Sequence, residues 1–209
     1  QAIERAVIAL DQARAGRRKT GVFDAEAYGD PAANLSLMSS LLGGILGGEL
    51  CLWHQPKFDI RKHATTGTEA LVRWNHPTRG LILPDVFIPM AEETGHIRAL
   101  TEWVVTQAIE DQKALYAAGH RLDVAVNISG RILGEPDFAD FAEAALKEAV
   151  GRISFEITET AVIENPETAL AMIDRFADMG VSISIDDFGA GLSSLAYLKQ
   201  IRGDELKID

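Results

Sequence analysis

From about residue 50 onward, short apolar segments alternate with segments of helical periodicity, and this alternation limits the fold more than any other feature. The candidate strands are ELCLWHQPKFDI, TGTEALVRW, RLDVAVNIS, RISFEITET, VSISIDDF and DELKID. Those from residue 122 onward are nearly continuous runs rich in Val and Ile, which is typical of parallel strands covered on both faces. The pattern therefore predicts an α/β fold with a mostly parallel sheet, either closed into a barrel or open.

Helical periodicity predicts three helices between these strands, over residues 84–120, 136–150 and 166–179. Gly119 and Gly151 stand at the ends of the first two helices, where glycine readily adopts the left-handed conformation of a C-cap. Asn165 is placed to cap the third helix, with Pro166 in its first position and Gly180 at its end. These signals fix the expected helix limits.

The length of the chain bears on whether such a sheet closes. A full (β/α)₈ barrel usually takes about 250 residues, whereas this chain has 209. The sequence ends in DELKID, within a candidate strand, and stopping there would expose a hydrophobic sheet edge. We therefore expect that a C-terminal part of the domain is missing. The expected organisation is an N-terminal helical segment over residues 1–47 and an α/β domain over residues 48–209.

The composition argues against several classes of protein. The net charge of −11 is opposite to that of a general nucleic-acid-binding surface. Cys51 is the single cysteine, so an internal disulfide is excluded, and this suits a reducing, cytoplasmic compartment. Residues 31–48 are uncharged, but four glycines, three serines and a proline leave too little apolar density for a membrane span. We expect a surface-packed helix there that frays at its glycines.

Polar side chains occur at the ends of several candidate strands, where the apolar runs do not need them. Asn127, Glu156 and Asp186 are separated by 29 and 30 residues, about one strand–helix–strand unit each time. Positions one unit apart return to the same edge of a parallel sheet, and α/β proteins bind ligands at that edge. The residues expected to converge there are Glu69, Asn127, Glu156, Asp186, Asp187 and Lys207.

Four carboxylates in one cleft would repel each other if left bare. Carboxylate and amide oxygens suit Mg²⁺, Mn²⁺ or Ca²⁺, and a pair of such ions is the usual device for in-line attack on a phosphoester. Taken singly, each residue has a structural interpretation: Asp187 as a cap of an Asx turn, Asn127 as an edge hydrogen-bonder, Glu156 in a salt bridge, Lys207 as a solvated lysine. Their common spacing favours a site.

Short motifs follow one another along the chain: QP at 55–56, EAL at Glu69–Leu71, VNIS at 126–129, FEITET at 155–160, IDDFGAGLSSL at 185–195 and LKID at 206–209. With these motifs, residues 48–209 resemble the EAL-domain family of cyclic di-GMP phosphodiesterases. The resemblance implies a TIM-like barrel that hydrolyses cyclic di-GMP to linear pGpG with Mg²⁺ or Mn²⁺.

The resemblance also implies which residues do the chemistry. The metal ligands would be Glu69, Asn127, Glu156, Asp186 and Asp187, with Asp187 on the second metal. Lys207 would contact the attacking water, so that it and Glu69 are the expected catalytic residues.

Four further residues take supporting roles by the same resemblance. Arg73 would hold a phosphate of the substrate, since its guanidinium has the fork geometry that phosphate recognition needs. Gln55 and Leu71 would line the substrate groove. Glu159 would steady the loop of the IDDFGAGLSSL motif.

The chain departs from the family pattern in three places. A further glutamate in an EGVE-like stretch and a glutamine in a QG stretch follow the KID strand in the family, and neither occurs in these 209 residues. The sequence before residue 48 resembles the tail of a GGDEF domain but has no GGDEF signature. Trp53 and His54 stand where the family often has tyrosines, a change expected to affect packing more than chemistry.

Two alternatives to a cyclic di-GMP phosphodiesterase stay open. One is a catalytically inactive EAL module that acts as a cyclic di-GMP receptor or scaffold, and the other is a different two-metal α/β hydrolase. The resemblance also implies that the chain belongs to a longer signalling protein and that a homodimer is one possible assembly.

Overall fold

The computed structural model describes Ala9 and residues 20–22, 31–189 and 201–208. The chain divides into two compact units, Gln1–Ser40 and Leu41–Asp209. In the first unit, the described residues from 31 to 40 are helical. Of the expected N-terminal segment 1–47, the remaining residues up to 30, apart from Ala9 and 20–22, lie outside the described part. None of the described helices combines the length and the apolar character that crossing a membrane requires.

The described strands are β1 (Leu50–Asp59), β2 (Ala64–His76), β3 (Gly80–Ile82), β4 (Asp123–Asn127), β5 (Ile153–Thr158), β6 (Ser182–Asp186) and β7 (Glu205–Leu206). The described helices are α1 (Pro31–Leu46), α2 (Pro84–Glu93), α3 (Ile97–Ala117), α4 (Pro136–Leu146), α5 (Glu159–Glu164) and α6 (Pro166–Asp178), with a 3₁₀ turn at Gly130–Gly134. Strands and helices alternate from β4 to β6, so the predicted α/β class is confirmed.

The strands form one sheet in the order β1-β2-β4-β5-β6-β7, with β3 paired to β2. From β2 through β4, β5 and β6 to β7 all pairings are parallel, as the apolar runs predicted. The first pair differs, because β1 and β2 are antiparallel. A connection as short as residues 60–63 can join only antiparallel strands, since a parallel crossover needs a dozen or more residues.

The apolar core lies between the sheet and the helices. Phe155 of β5 packs edge-on against Phe176 of α6, with ring centroids 5.0 Å apart, and Phe138 of α4 packs edge-on against the same ring at 6.1 Å. All three rings are fully buried, and burial of each stabilises the fold by about 1.5–3 kcal/mol. Because successive strand residues face opposite sides, the neighbour Glu156 lies on the other side of the sheet.

Two of the three predicted helices differ from the prediction in where they begin or end. The segment 84–120 is two helices, α2 and α3, because Gly95 takes a positive φ of 74° between them. The segment 136–150 ends as a helix at Leu146. Gly151 is therefore not its cap. A Cβ atom there would collide with the Tyr116 hydroxyl, so Gly151 serves the close packing of α3 on the turn before β5.

The glycines predicted at the C-terminal ends of α3 and α6 are confirmed. Gly119 and Gly180 directly follow the capping residues of α3 and α6 and have positive φ angles of 89° and 83°. Pro166 begins α6, as predicted, although the Asn165 side chain makes no capping hydrogen bond. Helix α1 does not fray at Gly43 and Gly44. It continues to Leu46, and the missing side chain of Gly44 admits the Trp74 indole, whose Nε1 would lie 2.8 Å from a Cβ atom.

Candidate active site

The sheet carries a group of polar side chains on the face opposite the aromatic core. Asn127 is the last residue of β4, Asp186 is the last residue of β6, and Lys207 directly follows β7. The register places Asn127 beside Glu156 on β5. Lys207 is fixed next to Asp186 because its N–H donates to the Ile185 carbonyl at 2.8 Å. Parallel pairing therefore brings residues from four strands to one edge.

The Lys207 ammonium joins three carboxylates, which we call the acid cluster: Glu69, Glu156 and Asp186. Its Nζ lies 3.2 Å from Glu69 Oε2, 2.7 Å from Glu156 Oε2 and 2.8 Å from Asp186 Oδ2. Asn127 Nδ2 donates to the other oxygen of Glu69 at 2.8 Å. Five of the six residues expected to converge are thus brought together, across as many as 138 positions of sequence.

Lys57 is a member of this site that the sequence reasoning missed. Its Nζ lies 2.7 Å from Glu156 Oε1, so the two oxygens of Glu156 each bind a different lysine. The Glu156 side chain has no solvent exposure. A buried charge is costly unless it is paired, so both lysines are needed to stabilise the Glu156 carboxylate. Lys57 pairs with Gly67 in the antiparallel hairpin. Gln55 lies opposite Glu69 in the same hairpin, and Lys57 is two residues beyond Gln55 in β1. Because alternate residues of a strand share a face, this register places Lys57 on the face of the acid cluster.

Both lysines are held in the charged form. Partial burial lowers the pKa of Lys207, but the hydrogen bonds to Asp186 and Glu156 and the charge of Glu69 outweigh it and raise the pKa well above 10.5. Burial also lowers the pKa of Lys57, and the hydrogen bond and charge of Glu156 raise it above 10.5. The resulting stabilisation is fully present below about pH 10.5 and is lost as the pH rises through the folded-state pKa.

Asp187 stands apart from the acid cluster. Its side chain is exposed, and its backbone has a positive φ of 55°, a conformation that Asp tolerates better than most residues. Its backbone N–H donates to Asp186 Oδ1 at 2.9 Å. Within the described part of the chain, the contacts that join the cluster run through Asp186 and do not include the Asp187 carboxylate.

Glu159 contacts the turn that follows Asp187. It is buried, and its Oε2 accepts a hydrogen bond from the Gly189 N–H at 2.9 Å. This is the first contact along the loop that Glu159 was expected to steady. The remainder of that motif, residues 190–195, lies outside the described residues.

The hairpin places the expected substrate-groove residues beside the cluster. Gln55 lies opposite Glu69 in the β1–β2 register, and Trp53 lies opposite Leu71. Leu71, Asn127 and Glu156 also line a cavity of about 330 Å³. Arg73 Nη1 donates to the Val72 carbonyl at 2.8 Å. Gln55 and Arg73 do not line this cavity, so the substrate groove expected from Gln55, Leu71 and Arg73 stays a prediction.

His54 points to the opposite side of β1. Its Nδ1 hydrogen-bonds with Thr68 Oγ1 at 3.0 Å and its Nε2 with Asp111 Oδ2 at 2.9 Å. These contacts tie both strands of the hairpin to α3. The expectation that a histidine at this position affects packing agrees with its position away from the acid cluster.

The donor atoms of the site fit hard divalent cations in their chemistry. Three carboxylates and the amide of Asn127 offer oxygen ligands only, which Mg²⁺ and Mn²⁺ prefer. Among the described residues, however, no group of three or more Asp, Glu, His or Cys side chains is already arranged around a point that could hold a metal. The acid cluster instead points at the Lys207 ammonium, which supplies the neutralising charge.

Carboxylates, an amide and a lysine at the carboxyl ends of parallel strands form the arrangement in which α/β proteins, both barrels and open sheets, place their binding sites. The EAL domain family model matches residues 38–209. The chain therefore belongs to the EAL-domain family, which confirms the resemblance found in its motifs.

Two relatives named as cyclic di-GMP phosphodiesterases are similar to nearly the whole of this chain. "Cyclic di-GMP phosphodiesterase NbdA" of Pseudomonas aeruginosa is 38% identical over 212 residues, covering 99% of this chain and 27% of that protein. "Cyclic di-GMP phosphodiesterase PdeR" of Escherichia coli is 36% identical over 201 residues, covering 93% of this chain and 30% of that protein. The chain thus spans less than a third of the length of these relatives.

A solved structure described as "PaMucR Phosphodiesterase, c-di-GMP complex" matches with a TM-score of 0.77 and 36% sequence identity. The match covers 83% of this chain and 72% of that one. Solved EAL domains such as this have a TIM-like barrel, so the predicted barrel class is confirmed, and the sheet described above forms part of it.

Proposed function

We propose that this chain hydrolyses cyclic di-GMP to linear pGpG, with two divalent cations, Mg²⁺ or Mn²⁺. The observation that carries the proposal is the convergence of Glu69, Glu156 and Asp186 on one point, 2.7–3.2 Å from a single lysine nitrogen. Membership of the EAL-domain family and the names of the two phosphodiesterase relatives support the choice of substrate.

The proposed metal ligands are Glu69, Asn127, Glu156, Asp186 and Asp187. Divalent ions at such a site lower the pKa of a bound water and stabilise negative charge on phosphate oxygens. The chain's own contribution is to hold these oxygens together, because Lys57 fixes one oxygen of Glu156 and leaves the other directed at the site.

Lys207 is the residue we propose to hold the attacking water. Its ammonium already lies between the three carboxylates and, with its raised pKa, donates hydrogen bonds at neutral pH. Arg73 is proposed to orient the phosphate, with Leu71 and Gln55 lining the groove beside it. The order Glu69, Leu71, Arg73 along one face of β2 supports a substrate that extends from the acid cluster to the rim.

Incubation with cyclic di-GMP and either metal, followed by chromatography of the products, tests the proposal. We expect pGpG from the wild-type protein, no pGpG in a chelator, and none from Glu69→Ala. Glu143→Ala is a matched control, because Glu143 is a surface carboxylate paired with Lys147 and should leave turnover unchanged. Tight binding without cleavage would favour the receptor alternative, and cleavage of only another phosphodiester would favour a different hydrolase.

We propose further that the chain acts as one domain of a longer signalling protein in the cytoplasm. The two relatives support a longer protein, since the matched region is 27–30% of their length. A homodimer is the assembly we propose for that protein, and sedimentation of the full-length protein measures it.

A further inference from the structure

Trp53 is an exposed aromatic residue on the same face of the hairpin as the acid cluster. Its surface is 53% accessible, which is unusual for so large an apolar side chain. It lies directly opposite Leu71, and the next pair on this face is Gln55 with Glu69. Directly opposed residues of an antiparallel pair share a face of the sheet, so the indole and the Glu69 carboxylate lie on one surface.

The position of Trp53 along the strands places it at the mouth of the site. Strand β2 runs parallel to β4 towards the carboxyl edge, and Leu71 lies two residues beyond Glu69 in that direction. At roughly 3.3 Å per residue, the indole is displaced towards the rim by about 7 Å from Glu69. That is the scale of one nucleotide, so a group bound at Trp53 and a phosphate near Glu69 can belong to the same ligand.

Arg73 holds the indole in a defined arrangement. The Arg73 Cζ atom lies 5.2 Å from the centroid of the Trp53 ring, within the range of a cation–π contact. The guanidinium is itself anchored by the bond from Nη1 to the Val72 carbonyl. One face of the indole is therefore covered by a cation, and about half of the residue's surface remains accessible to a ligand.

The surroundings of Trp53 do not form an apolar patch of the kind that binds proteins. On this face Trp53 is flanked by Cys51 and Gln55 along β1 and by Leu71 directly opposite on β2, and Arg73 lies over the ring. A protein-binding surface needs a contiguous apolar area of several hundred Å². An exposed flat ring with a cation over one face and Gln55 beside it is suited to a planar polar ligand instead.

We propose that Trp53 is a stacking platform for a purine base of the substrate, with Arg73 clamping the indole from behind and binding the adjacent phosphate. This inference rests on the proposed function and adds the residue that recognises a base. Stacking of a base on an aromatic side chain contributes about 1–3 kcal/mol, so loss of the ring should weaken binding by about 5- to 140-fold.

Titration with pGpG in the presence of Mg²⁺ tests this proposal, by calorimetry and by indole fluorescence. We expect Trp53→Ala to raise the dissociation constant by at least 5-fold, and Trp53→Phe, which keeps an aromatic face, to restore most of the affinity. The quenching of fluorescence on binding should be largely lost in both variants, because the indole on which the base stacks is gone and the remaining Trp74 and Trp103 are not part of the proposed platform. Val150→Ala, an exposed apolar residue outside the site, serves as the control and should bind as the wild type does.

Trp53→Ala should fold, since more than half of the side chain is exposed, and circular dichroism checks this. If it binds pGpG as tightly as the wild type, the stacking platform is wrong while the proposed hydrolysis stands. If the wild type neither cleaves cyclic di-GMP nor binds pGpG, the proposed function and the platform both fail.

Discussion

Replacing Lys207 with methionine removes the charge that holds the acid cluster together. Three hydrogen bonds to carboxylates are lost, each of a kind that contributes about 1.5–3 kcal/mol. The sum overestimates the effect, because Glu156 keeps Lys57, Glu69 keeps Asn127, and Glu69 and Asp186 are 18% and 23% exposed to water. We therefore expect Lys207→Met to lower the free energy of unfolding by about 2–4 kcal/mol in a chelator.

Added metal should reverse much of this loss. A divalent cation neutralises the same three carboxylates, and a ligand that binds only the folded state stabilises it by about 2.7 kcal/mol at 100 times its dissociation constant. The variant has no competing ammonium, so we expect Mg²⁺ or Mn²⁺ to stabilise Lys207→Met more than the wild type. A divalent cation and the Lys207 ammonium are then alternative ways to neutralise the same three carboxylates.

Thermal unfolding followed by circular dichroism, with chelator and with metal, measures both effects. For a domain of this size 1 kcal/mol corresponds to about 2–4 °C, so the midpoint should fall by about 4–16 °C in the chelator. Lys113→Met is the control, since Lys113 forms a surface pair with Glu110 and should change the midpoint by less than about 4 °C. Equal midpoints for Lys207→Met and wild type in the chelator, or equal gains from metal, would show that the ammonium and the metal do not neutralise the same carboxylates.

Two other substitutions test contacts around the site by urea unfolding. Lys57→Met should lower the free energy of unfolding by about 1–3 kcal/mol, because it leaves one oxygen of the buried Glu156 unpaired, and Lys57→Arg should recover most of the loss. An unchanged stability in Lys57→Met would show that water replaces the ammonium there. His54→Ala should also lower the free energy by about 1–3 kcal/mol, since Thr68 is buried and Asp111 loses a partner. Wild-type stability in this variant would contradict a structural role for the imidazole.

The convergence of the acid cluster could be predicted from the sequence because it follows from one regularity. Asn127, Glu156 and Asp186 recur at intervals of one strand–helix–strand unit, and parallel pairing places such positions at one edge. The parallel pairing itself was predicted from the alternation of strands and helices and from the continuous Val- and Ile-rich runs. Neither prediction requires knowledge of side-chain packing.

Lys57 could not be found in this way because its contact depends on the antiparallel hairpin. A lysine in a strand is usually solvated, and only the β1–β2 register shows that it reaches Glu156.

The end of α4 was predicted wrongly for a related reason. Gly151 resembled a C-cap, whereas the close approach of Tyr116, 35 positions earlier in the chain, explains it. Both the Lys57–Glu156 pair and the role of Gly151 depend on contacts between elements distant in sequence. Local sequence patterns do not predict such contacts.

We propose that Glu69, Asn127, Glu156 and Asp186 form one centre for divalent cations. Crystals of the protein grown with Mn²⁺ and measured at a wavelength where manganese scatters anomalously test it directly. We predict anomalous peaks within coordination distance of these four side chains, with the Lys207 ammonium displaced from the midpoint of the acid cluster. Strong manganese peaks elsewhere, with Lys207 still bound to all three carboxylates, would show that these side chains do not form a metal centre.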